Sequence, residues 1–128
     1  MGVTKSAEDY LETILILSKR LPVVRSVDIA NEIGYKKSSV SIAMRNLEDT
    51  NRIVFSNEGY ITLTDEGMEI AQGILEKHEF FLNWFMGMGI PERTAREDAC
   101  KIEHALSEDT FEAIKEYVKN NSNPENTI

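Results

Sequence analysis

The sequence predicts a mainly α protein in two halves, a helix-turn-helix closed by a β-hairpin and then a purely helical second half. Three observations carry this. Apolar residues recur at helical spacing through most of the chain. Residues 53–63 instead hold two β-prone runs around Asn57-Glu58-Gly59. Capping residues, glycine and proline punctuate the helical stretches.

Taken in order, Ser6 is expected to cap a first helix, with Asp9 completing a partial capping box. Tyr10, Leu11, Ile14, Leu15 and Leu17 form its apolar face, and Pro22 lies just past its end. Val23-Val24-Arg25 reads as a short β-like piece. Ser26 then caps a second helix, Val27 to Ile33, which Gly34 closes in a left-handed conformation. A third helix runs from about Lys37 to Thr50. It shows Val40, Ala43, Met44 and Leu47 on one face and Lys37, Ser38, Ser41 and Arg45 on the other.

After the hairpin, Thr64 caps a long fourth helix ending near Gly87-Met88-Gly89. Its stripe is Ala71, Ile74, Leu75, Phe81, Leu82 and Phe85, with His78 in the middle. Pro91 suits the first turn of a fifth helix through Leu106. Ser107 caps a sixth with the stripe Phe111, Ile114, Tyr117 and Val118, and the polar tail from Asn120 to Ile128 reads as frayed. The expected domains are 1–64 and 65–128.

The order helix, tight turn, helix, hairpin is that of a winged helix-turn-helix, in which the second helix of the pair enters a DNA major groove. Lys37, Ser38, Ser39 and Ser41 would meet base edges, with Arg45 one turn on. Lys36, Arg52 and the wing tip Asn57-Glu58 would approach the phosphate backbone. A plain helical pair with a solvated polar face is the bland alternative; the hairpin that follows and the β-like piece before it argue against it.

A net charge of −8 argues against a nucleic-acid partner only until it is divided. Residues 1–64 carry eight basic and eight acidic side chains, so residues 65–128 hold the whole excess. Over 36–52, Lys36, Lys37, Arg45 and Arg52 face only Glu48 and Asp49. One cysteine, Cys100, excludes an internal disulfide and suits a reducing cytoplasm. No apolar run approaches the roughly 20 residues of a membrane span, so no membrane partner is expected.

The second half carries a set of metal-type donors. Cys100, Glu103 and His104 stand at i, i+3 and i+4 of the fifth helix, where thiolate, carboxylate and imidazole share one face and suit a first-row divalent metal. His78 lies on the fourth helix, and Asp9 and Glu12 share a face of the first. Each has a plainer reading. His78 suits a hydrogen-bonded core residue, Asp9 and Glu12 a complement to the helix dipole, Glu103 a surface acid and Cys100 a small buried hydrophobe.

These pieces resemble the diphtheria toxin repressor and manganese transport regulator family of metal-dependent repressors. The matching stretches are Glu8 to Ile14, Ser38-Ser39-Val40-Ser41, Thr62 to Gly67, Lys77-His78-Glu79 and, most specifically, Asp98 to Ser107. The resemblance covers roughly residues 6–118. It implies Asp9, Glu12, His78, Cys100, Glu103 and His104 as metal ligands, and a helical dimerisation domain. It further implies a homodimer on double-stranded DNA, at a palindromic operator near metal-uptake genes, with recognition helices about 34 Å apart. Metal would relieve repulsion among Asp9, Glu12 and Glu103 and tie the first helix to the fourth and fifth.

The chain departs from the family pattern in three places. The manganese branch carries a second carboxylate where Cys100 stands, whereas the iron branch has cysteine there but methionine in place of Asp9. Leu82 and Arg96 replace two ligands of the iron branch's ancillary site. No SH3-like third domain is expected. Iron(II) or manganese(II) is the expected metal, with zinc(II) and cobalt(II) as further candidates. A metal-independent regulator gated by a small organic ligand is the alternative. A metal hydrolase is disfavoured, because no general base stands outside the donor set.

Overall fold

The computed structural model describes residues 4–121. The order of elements is α1 (Lys5–Arg20), α2 (Ser26–Ile33), α3 (Lys37–Asp49), β1 (Ile53–Phe55), β2 (Ile61–Leu63), α4 (Asp65–Gly87), α5 (Glu92–Ile102) and α6 (Glu108–Asn121). Two compact units divide at Leu75 and Glu76, so α4 lends its first half to one and its second half to the other.

The first unit is the helix-turn-helix with its hairpin. Leu11 and Ile14 of α1, Ile29 of α2, Val40 and Met44 of α3 and Ile53 of β1 are all fully buried in one cluster. β1 and β2 pair antiparallel, Ile53 opposite Leu63 and Phe55 opposite Ile61. Ile53 and Ile61 face the core while Val54 and Thr62 face outward, as the period of two requires. Gly59 supplies the positive φ of +84° at the wing tip.

Several local expectations are corrected. Thr4, not Ser6, caps α1: its backbone is extended and its hydroxyl accepts from the Ala7 N–H at 3.1 Å. Ser26 lies inside α2, because Asp28 reaches back to accept from the Arg25 N–H at 2.9 Å and starts the helix there. Val23-Val24-Arg25 forms no strand. One rung survives, Ile61 N–H to the Val24 carbonyl at 2.8 Å, since Arg25 already turns into α2.

Helix ends are closed by two Schellman motifs. Past α3, Asn51 adopts φ +62° and the Arg52 N–H reaches the Leu47 carbonyl at 2.9 Å. Past α4, Gly89 adopts φ +93° and the Ile90 N–H reaches the Phe85 carbonyl at 3.1 Å. Thr64 caps α4 as expected, accepting from the Gly67 N–H at 3.1 Å. At Gly67 itself a Cβ would collide with the carbonyl oxygen of Arg52.

The second unit packs around Phe81, Ala99 and Phe111. Lys77 and Lys115 place their ammonium groups 5.7 and 4.7 Å from the Phe111 ring centroid. Lys115 is also held by Glu112 and Glu76, whose hydrogen bonds push its pKa up to about 12. The α6 stripe is therefore narrower than its spacing suggests: Phe111 is buried, but Tyr117 is 68% exposed. Ser107 caps α6, accepting from the Thr110 N–H at 3.2 Å. Asn120 and Asn121 continue the helix, and the rest of the expected frayed tail lies outside the described residues.

α5 ends earlier than expected, at Ile102, and Pro91 stands just before it as the N-cap. Glu103 keeps helical dihedrals and bonds Ala99, but Ala105 then bonds Ile102, tightening the chain toward the cap of α6. Among the described residues, no helix is long and apolar enough to cross a membrane.

Candidate metal centre and DNA-reading helix

In the second unit, α4 and the C-terminal end of α5 bring three different donor atoms together. His78 Nδ1 lies 2.9 Å from Glu103 Oε2, and Cys100 Sγ lies 3.8 Å from the same nitrogen. One donor atom from each of the three residues falls within 4.8 Å of the others. A nitrogen, a sulfur and an oxygen this close fit a transition metal and are a poor fit for calcium or magnesium.

Burial makes Glu103 the unusual member. It is 1% exposed, and its second oxygen lies 3.2 Å from His104 Nε2. A carboxylate removed from water needs partners; the His78 ring supplies a hydrogen bond to one oxygen, and the His104 ring stands beside the other. The surface-acid reading of Glu103 is thus wrong. Cys100 is exposed, so it is not a packed hydrophobe either. His104 faces Glu103 from the turn after α5, not from the helix.

Asp9 and Glu12 stand one turn apart on α1, both half-buried, with Lys5 Nζ 3.0 Å from Asp9 Oδ2. Because α1 starts at Lys5, Glu8 is its first-turn acid. Glu12 lies in the second turn, beyond the reach of the helix dipole, so the dipole does not account for it. Of the two positions that depart from the family's ancillary site, Leu82 packs at the edge of the Phe81 cluster. Arg96 pairs with Glu92 at 2.8 Å.

On α3 the fold separates two faces. Val40, Met44 and Leu47 are buried, whereas Lys36, Lys37, Ser38, Ser39, Ser41 and Arg45 are exposed. Lys36 occupies the N-cap without a capping side chain, and no acidic residue stands in the first turn. The amides of Lys37, Ser38 and Ser39 therefore sit at a bare positive helix end. Asn57 is exposed at the wing tip. Arg52 is held differently: its side chain is 21% exposed and its guanidinium lies 3.8 Å from Glu66.

Two features were missed by sequence reasoning. One is Glu103 as the hydrogen-bond partner of His78, a pairing across 25 residues that no local spacing reports. The other is Ile42, 59% exposed on the reading face of α3. Its break from the apolar spacing was the available signal.

Residues 2–60 match the N-terminal DNA binding domain of iron-dependent repressors, and residues 64–126 match their metal binding and dimerisation domain. An HTH-type transcriptional regulator of Methanocaldococcus jannaschii is 35% identical over 121 residues, covering 91% of this chain and 95% of that one. The Escherichia coli transcriptional regulator MntR is 31% identical over 108 residues, covering 84% and 70%. Among solved structures, a manganese-dependent transcriptional repressor in complex with manganese aligns with a TM-score of 0.80 at 24% identity, over 88% of this chain. IdeR of T. acidophilum aligns at 0.72 and 28%, over 93%. The chain spans about half the length of these last two, 52% and 55%. With both halves matched in order, the chain belongs to the iron-dependent repressor family and is a metal-dependent DNA-binding transcriptional repressor.

Proposed function

We propose that this protein represses transcription as a cytoplasmic homodimer on a palindromic operator, activated by iron(II) or manganese(II), and so controls metal-ion homeostasis. The observation that carries this is the convergence of His78, Cys100 and Glu103 within 4.8 Å. The family supports a divalent metal at this domain, and one structural neighbour is described as a repressor in complex with manganese. We assign Asp9, Glu12 and His104 to the same ligand set on the resemblance and on their chemistry.

The ligand assignment explains how metal is felt by the DNA-reading helix. Asp9 and Glu12 sit on α1, whose Leu11 and Ile14 share one buried cluster with Val40 and Met44 of α3. Holding those carboxylates therefore holds the reading helix through close-packed side chains. A bound cation supplies the positive charge that neutralises the acidic donors. Lys36, Arg52 and Asn57 are assigned to backbone contact, and Lys37, Ser38, Ser39, Ser41 and Arg45 to base edges.

Metal and operator must then strengthen each other's binding by one factor. Fluorescence anisotropy of an operator duplex, with iron(II) under anaerobic conditions or with manganese(II), is expected to show binding at least about tenfold tighter than in chelator. Equal affinity in both would end the proposal.

A further inference from the structure

α3 carries four large aliphatic side chains. Val40, Met44 and Leu47 are buried, but Ile42 is 59% exposed. A single exposed apolar side chain is ordinary on a protein surface. This one is distinguished by its register. Ser38, Ser41, Ile42 and Arg45 fall at i, i+3, i+4 and i+7, one exposed stripe opposite the buried one.

Within one helical turn, Ile42 is flanked by Ser38, Ser39, Arg45 and Asn46, all polar. No apolar patch surrounds it, so it offers a protein partner too little area. Its branched side chain lacks donor and acceptor alike, so it is blind to the hydrogen-bonding pattern of a base edge. The one apolar group that the major groove displays is the thymine methyl.

We infer that Ile42 is a specificity-determining residue that selects thymine in each half-site by packing against its C5-methyl group. The serines and Arg45 beside it read or position polar groups, and Ile42 excludes a bare cytosine at its own position. The inference rests on the repressor reading above.

The test starts from a random-sequence duplex pool selected by the wild-type protein with manganese(II). Each thymine of the enriched duplex is then replaced by deoxyuridine, which removes the methyl and nothing else. A replacement in one half-site is expected to weaken wild-type binding about fourfold, the worth of one buried methyl-sized group, and replacement in both half-sites about fifteenfold. Ile42→Ala should weaken binding by a similar factor, lose the deoxyuridine response and keep the wild-type salt dependence, which phosphate contacts set. Ile42→Val should keep part of the response. Because Ile42 is exposed, thermal unfolding of Ile42→Ala should match wild type. An unchanged deoxyuridine response in Ile42→Ala would overturn this inference alone. Failure of the wild-type protein to enrich any duplex would overturn the repressor reading, and the inference with it.

Discussion

The carboxylate of Glu103, 1% exposed, meets Nδ1 of His78 at 2.9 Å across a gap of 25 residues. Nothing but a fixed approach of α4 to the end of α5 produces that contact. Glu103→Gln keeps the shape and removes the charge. In chelator it should lower stability by about 1–3 kcal/mol, the range for a disturbed buried hydrogen bond. Manganese(II) should raise the melting temperature of wild type and leave that of Glu103→Gln unmoved. A metal-induced rise of equal size in both would remove Glu103 from the ligand set.

Cys100 is exposed, with its Sγ 3.8 Å from His78 Nδ1. Bound cobalt(II) should therefore give a sulfur-to-metal charge-transfer band in the near ultraviolet. Cys100→Ser should lose the band, and Cys100→Asp should shift metal preference from zinc(II) toward manganese(II), a harder ion. Persistence of the band in Cys100→Ser would show that sulfur does not coordinate.

Two glycines of α4 should respond in opposite directions. Gly67→Ala forces a Cβ against the Arg52 carbonyl oxygen, and backbone cannot swing aside. A loss of about 3 kcal/mol is expected in urea unfolding. Gly73→Ala meets open space in the same helix and should add about 0.5–1 kcal/mol. Similar effects at both sites would mean that the contact with Arg52 is not rigid.

Asn51 holds φ +62° at the end of α3. Asn51→Ala should cost about 1 kcal/mol in thermal or urea unfolding, while Asn51→Gly should cost nothing, because glycine bears no Cβ there. A neutral Asn51→Ala would show that the turn relaxes out of the left-handed region.

The element order was legible because each helix carries its own stripe and stop: Gly34 closes α2 at φ +82°, and Thr64 opens α4. Boundaries were less legible where two residues compete for one cap. Thr4 and Ser6 both offer a hydroxyl, and only the extended backbone of Thr4 decides between them. Asn51 escaped because asparagine enters the left-handed region without announcing it as glycine does. In the candidate site, Cys100 and Glu103 were readable from spacing. The end of α5 at Ile102 was not, since the link to α6, and no local residue preference, tightens the chain there.

The bare first turn of α3 has a consequence for folding itself. Helices normally finish their own ends, yet Lys36 brings no capping oxygen and no acid follows it. The amides of Lys37, Ser38 and Ser39 are left to be satisfied from outside, and a phosphate group is well suited to the task. Operator DNA would then complete a unit of secondary structure as well as occupy a surface. Hydrogen exchange at those three amides should slow on the operator, where a phosphate takes the place of the missing cap.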